Sequence, residues 1–130
     1  MDGFTDVAMT WNGEQYTVPA DDQLMLVAKI ESAIRRATGM QALPALLQSG
    51  GPDYAALSMA FGAALRHAGA DVSDTEIYLS IQADMADQKA DVAIKVQTSV
   101  MALVSIISPP VGSKLRGDST GKKKRAATKG

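Results

Sequence analysis

The sequence predicts a mainly α fold, a small helical domain of four to five helices with an N-terminal β-hairpin. Three observations carry that prediction. Asn12-Gly13 sits between two alternating segments near the start of the chain. After Pro19, apolar residues recur at spacings of three and four, in runs bounded by capping or breaking residues. Aromatics make up only 5% of the chain while Ala and Met are plentiful, a balance that suits packed helices better than a β-sandwich. At 130 residues, the length is that of one domain.

The hairpin is the clearest local signal. Asn-Gly is the favoured two-residue loop because a type I′ turn needs positive φ at both central positions. That loop sets Trp11 opposite Glu14, Met9 opposite Tyr16 and Val7 opposite Val18. One face then carries Val7, Met9, Trp11, Tyr16 and Val18, and an isolated hairpin must lay such a face on other elements to be stable. Pro19 ends the second strand. Asp21 and Asp22 are expected to cap a helix running to about Thr38, with Leu26, Ile30, Ala33, Ile34 and Ala37 as its buried stripe. Arg35 and Arg36 suit its C-terminal dipole, and Gly39 stops it.

Residues 40–47, interrupted by Pro44, read as one or two helical turns. A helix over about residues 53–67 follows, with Pro52 as a candidate first position. Tyr54, Leu57, Phe61, Ala64, Leu65 and Ala68 share one face, and Gly69 closes it. Ser73-Asp74-Thr75-Glu76 has the form of a capping box, opening a helix with Ile77, Ile81 and Met85 on one side. A last helix over about residues 90–108 is apolar nearly all round in its second half and so needs cover. Ser108-Pro109-Pro110 is read as the end of ordered structure. The expected division is a folded domain at 5–108 and a basic, disordered tail at 109–130.

That division splits the charge. The formal net charge is −1, yet residues 108–130 hold seven basic groups against Asp118 alone, a net of +6, leaving −7 on the rest. The chain has no cysteine and one histidine, which excludes disulfides, thiolate metal sites, a cysteine nucleophile and a multi-histidine metal centre. The start, Met1-Asp2-Gly3, lacks the character of an export signal. The apolar run 100–107 falls well short of the roughly 20 residues of a membrane span. The expectation is a cytoplasmic protein.

Catalytic signals are weak. His67 falls at a helix C-terminus, where the dipole favours it, and no Gly-x-Ser-x-Gly elbow accompanies it. Helix capping accounts for Asp21 and Asp22, and a solvated helix face for Asp84 and Asp87. Gly50-Gly51 lacks the Lys-Ser/Thr of a phosphate loop. No cofactor or metal is implied, and the chain is expected not to be an enzyme. Two interaction signals remain. Val100, Leu103, Val104 and Ile107, with Trp11 and Tyr16, are candidates to face a partner, against the alternative that they are core. Lys122, Lys123, Lys124 and Arg125 are candidates to pair with nucleic-acid phosphates, although no aromatics interleave them and the body is acidic.

The order of elements resembles a known family. A strand pair with a polar turn is followed by a helix, a small-residue loop and a second helix. That helix ends in Leu65-Arg66-His67-Ala68-Gly69-Ala70 and leads into Val72-Ser73-Asp74-Thr75-Glu76-Ile77. Over roughly residues 5–85 this is similar to the tail assembly chaperones of long-tailed phages, of the gene transfer agent type. The resemblance implies a non-catalytic protein of the host cytoplasm that accompanies the tape measure protein and helps recruit tail tube subunits. It also implies a longer form made by ribosomal frameshifting, for which codons at Gly121-Lys122-Lys123-Lys124 are the candidate slip site. Self-association is left open. The alternative reading is a small nucleic-acid-associated accessory protein acting through its basic tail. A hydrolase centred on His67 is a third and weaker one.

Overall fold

The computed structural model describes residues 3–117. It is mainly helical, with six helices and one two-stranded antiparallel hairpin. The strands are β1 (Val7–Trp11) and β2 (Glu14–Val18). A 3-10 turn at Ala20–Asp22 leads into α1 (Gln23–Thr38), α2 (Ala42–Leu46) and α3 (Tyr54–His67). The chain continues through α4 (Asp74–Ala86), α5 (Val92–Ile107) and α6 (Pro109–Gly117).

The hairpin has the expected register, Val7↔Val18, Met9↔Tyr16 and Trp11↔Glu14. Asn12 and Gly13 take φ of 51° and 81°, the positive values that a type I′ turn demands. Val7, Met9 and Val18 are buried, so the apolar face lies on the helices as the alternation requires. Gln23, fully buried at the start of α1, anchors the hairpin from beneath. Its side-chain amide donates to the carbonyls of Thr5 and Val18, one on each side of the strand pair.

The core forms where α1, α3 and α5 meet. Leu26, Ile30 and Ile34 of α1 pack with Leu57, Phe61 and Leu65 of α3 and with Leu103, Val104 and Ile106 of α5. Ala33 joins the buried stripe of α1, but Ala37 is exposed. Gly39 ends α1 with φ of 76°, its N–H donating to the Arg35 carbonyl. At α3 the capping residue is Asp53, whose carboxylate accepts from the Ala55 N–H, so Pro52 lies just outside the helix. The capping box at α4 is complete: Ser73 Oγ accepts from the Glu76 N–H, and Glu76 accepts from the Ser73 N–H. None of the described helices is long and apolar enough to cross a membrane.

Two expectations are corrected. The carboxylate of Asp22 does not cap α1. It meets His67 Nε2 at 2.7 Å, tying the start of α1 to the end of α3. Lys29 donates to the other ring nitrogen of His67 at 3.3 Å, so Nε2 carries the ring hydrogen that Asp22 accepts.

The second correction concerns the tail. Residues 109–117 form α6 and are not disordered. The two prolines that stop α5 also start α6, because the first N–H groups of a helix need no helical partner. Ser108 accepts at both of its oxygens, from the Val111 N–H at its hydroxyl and from the Gly112 N–H at its carbonyl. Val111 reaches the core, and Gly112 is buried against Ser105 of α5. A Cβ at Gly112 would stand 2.9 Å from the Ser105 Cα, closer than real Cβ contacts allow.

This close approach makes Gly112→Ala a test with opposite signs. In an undocked helix, alanine for glycine would stabilise by about 1 kcal/mol. Against Ser105 it should destabilise, by roughly 1–3 kcal/mol, because the α5–α6 contact must open. Thermal unfolding of the full chain decides between the two signs.

Candidate functional site

A concavity lies between the hairpin and the overhanging ends of α4 and α5. It encloses about 400 Å³. Each wall has a simple origin. Alternation along β1 brings Met9 and Trp11 to one side of it and Ala8 and Thr10 to the other. A four-residue helical spacing aligns Ile77 with Ile81 on α4, and Val92 with Val96 on α5. Phe61 of α3 closes the inner end. A second cavity of about 290 Å³ continues along Thr5–Ala8 over the small residues of α5. The two share Ala8, Thr98 and Ala102, and so are sections of one trough beside β1.

The rim is polar. Asp84 of α4 accepts from Lys95 of α5 at 3.1 Å and pairs with Lys89 at 3.5 Å. Lys95 also approaches Asp91 at 3.8 Å. The hydrogen bond from Lys95, helped by the positive charge of both lysines, holds the Asp84 carboxyl below its usual value. The same bond pushes Lys95 up. The cluster joins two helices that otherwise share little contact, across the turn where Gln88 takes φ of 54°. An apolar pocket with a few fixed polar groups at its edge is the usual form of a binding site.

The sequence-predicted partner residues gather in or against the core and not on one open face. Val100, Leu103 and Val104 are buried in the chain's own core and cannot present a docking face in this structure. Their all-round apolar character is satisfied by α1, α3, the hairpin and α6, which cover α5 from several sides. Ile107 is half-buried against the same core. Tyr16 is also half-buried there and lines neither section of the trough. Its hydroxyl donates to Glu14, a bond that raises its pKa. Trp11 alone lines the trough.

Lys122, Lys123, Lys124 and Arg125, and the candidate slip site at Gly121-Lys122-Lys123-Lys124, lie outside the described residues. His67 belongs to the α1–α3 stitch and not to the trough. Among the described residues no three carboxylate, histidine or cysteine side chains gather as a metal site would require. The trough residues that sequence reasoning missed are Phe61, Ile81 and Val96. Their periodicity is that of a core stripe: Phe61 is buried in the core, and only the overhang of α4 and α5 leaves Ile81 and Val96 half-covered.

A scan against protein-family models and searches of curated proteins and of solved structures found no match to the chain.

The rim predicts a pH response. The Asp84 carboxyl is held below its ordinary value, so its link to Lys95 adds stability above the ordinary value of 3.8 and loses it as the pH falls through the lowered one. Lys95 is raised, so the same link persists at neutral pH and fails only at the alkaline end, above the ordinary 10.5. Asp84→Asn should therefore cause a small drop in Tm at pH 7 that fades in high salt and disappears in strong acid. Melting curves of both proteins across pH and salt measure this.

Proposed function

We propose that this chain is a non-catalytic tail assembly chaperone. It would shield apolar segments of the tape measure protein in the host cytoplasm and help recruit tail tube subunits. The single observation that carries the reading is the open apolar trough with a polar rim, in a domain whose element order resembles that family. The physics suits such a client. A tape measure protein is long and apolar along its helices, and needs temporary cover. A half-covered trough offers apolar contact without the full desolvation that makes release slow. Small, low-affinity sites on many copies hold a long client by acting together. Met25, Met85 and Leu79 stand exposed on the helices and supply further adaptable apolar surface.

The basic tail favours a second reading, an accessory protein that binds nucleic acid through Lys122, Lys123, Lys124 and Arg125. The two readings separate with purified components. Under the chaperone reading, a tape measure fragment co-purifies with the full chain. Val96→Asp in the trough should then weaken capture by at least about tenfold, since it buries an unpaired carboxylate on binding. Deletion of residues 118–130 should leave capture intact. Under the nucleic-acid reading the fragment is not captured, and salt-sensitive DNA binding disappears with that deletion.

A further inference from the structure

We propose that the outer edge of β1 is a docking site for an extended peptide segment, which joins the hairpin as a third strand. Trp11 and Glu14 flank a two-residue loop and are paired. Such a pair must be one that exchanges both backbone hydrogen bonds, since the alternative would require Asn12 and Gly13 to bond each other. Parity then fixes the rest of the strand. Met9 and Val7 also bond inward to β2, and the N–H and C=O groups of Ala8 and Thr10 point outward. The trough lies along that edge. It is lined by β1 residues of both faces, Met9 and Trp11 together with Ala8 and Thr10, and by none of β2. A cavity that touches both faces of one strand and misses its partner strand runs beside the strand's free edge.

The occupant follows from this chemistry. Free backbone groups at a two-residue period are met by another extended backbone, as in β-augmentation. A helix has no mid-segment backbone groups to offer. Residues of the added strand opposite Val7, Met9 and Trp11 would point inward, toward Phe61, Ile77 and Ile81, and those opposite Ala8 and Thr10 would point outward to water. The segment therefore alternates, apolar inside and polar outside. Its flanks are basic. Asp6 lies on one section of the trough, the charge of Asp84 on the other is already met by Lys89 and Lys95, and residues 3–117 hold twelve acidic against eight basic groups. The same negative balance disfavours a nucleic-acid strand.

The inference rests on reading the trough as a protein-binding site, and its test is separate from capture of a tape measure fragment. The probe is acetyl-Lys-Val-Thr-Val-Thr-Val-Lys-amide, added to the full chain up to about 1 mM, the weak end of specific binding. Trp11 is the only tryptophan, so its fluorescence reports occupancy directly. Amide exchange by NMR reports pairing. The Ala8 and Thr10 amides should gain at least about tenfold protection on binding, while those of Met9 and Trp11 are protected with and without peptide. A probe N-methylated at its two threonine nitrogens should fail to bind. So should the plain probe with Thr10→Pro, a substitution that removes an outward N–H and no hairpin bond.

A Trp11 response without protection of Ala8 and Thr10 overturns the proposal. Equal binding of the N-methylated probe, or no response to the plain probe, overturns it as well. An amphipathic helical peptide that binds in its place would leave the trough a protein-binding site but not a strand-docking one.

Discussion

The structure depends on the positive backbone angles at Asn12 and Gly13. A loop of two residues leaves no freedom in strand register, and register is parity. Parity decides which side chains of β1 and β2 face the helices, and so decides that Met9 and Val18 enter the core. It also decides which backbone groups are consumed within the hairpin and which face outward. A slip by one residue would turn Ala8 and Thr10 inward and expose Met9. One local preference thus sets the packing of the sheet and the chemistry of its edge.

Packing then sets what the edge faces. Gln23 ties Thr5 and Val18 to the top of α1, which fixes the hairpin over the α1–α3–α5 core. The first half of α5 and the last turns of α4 extend beyond that core. Leu103, Val104 and Ile106 are fully buried, while Lys95 and Ile94, two turns earlier on the same helix, are exposed. α5 packs against β1, and its overhang carries that helix wall past the core beside the strand. The trough is the space between a rigid hairpin and a helix pair that is joined at its tip by the ionic cluster of Asp84.

Most of the elements were legible in the sequence because their signals are local. The turn residues, the Ser73–Glu76 capping box and the apolar stripes of α1 and α3 each report on a few neighbouring positions. The errors came where one local signal had two outcomes. Pro109 and Pro110 stop one helix and are equally compatible with starting another, and the choice is made by Gly112 fitting against Ser105, a contact invisible along the chain. Asp22 is a good helix cap by type, but its carboxylate is taken by a histidine 45 residues away. The trough was illegible for the same reason. Ile77, Ile81 and Val96 have the spacing of core residues, and no periodicity records how far a helix projects past its neighbours. Val100, Leu103 and Val104 show the reverse: residues of a segment apolar all round are buried by their own chain.

The same geometry bears on how the site could be both selective and reversible. A closed pocket gains affinity from full burial, and loses the ability to release quickly. Here the wall of α4 and α5 is held at its tip by exposed ion pairs, which are individually weak and screened by salt. The hairpin, in contrast, is fixed to the core by Val7, Met9, Val18 and Gln23. A ligand entering the trough therefore meets one rigid side that dictates register and one adjustable side that dictates fit. Under the strand-docking proposal, selectivity would come from the rigid edge, because backbone pairing rejects segments that cannot extend. Adaptability comes from the helix wall, whose residues at the opening are small or flexible, Ser99, Thr98 and Lys95 among them. That division of labour would suit the proposed role, in which a client segment is held and then let go.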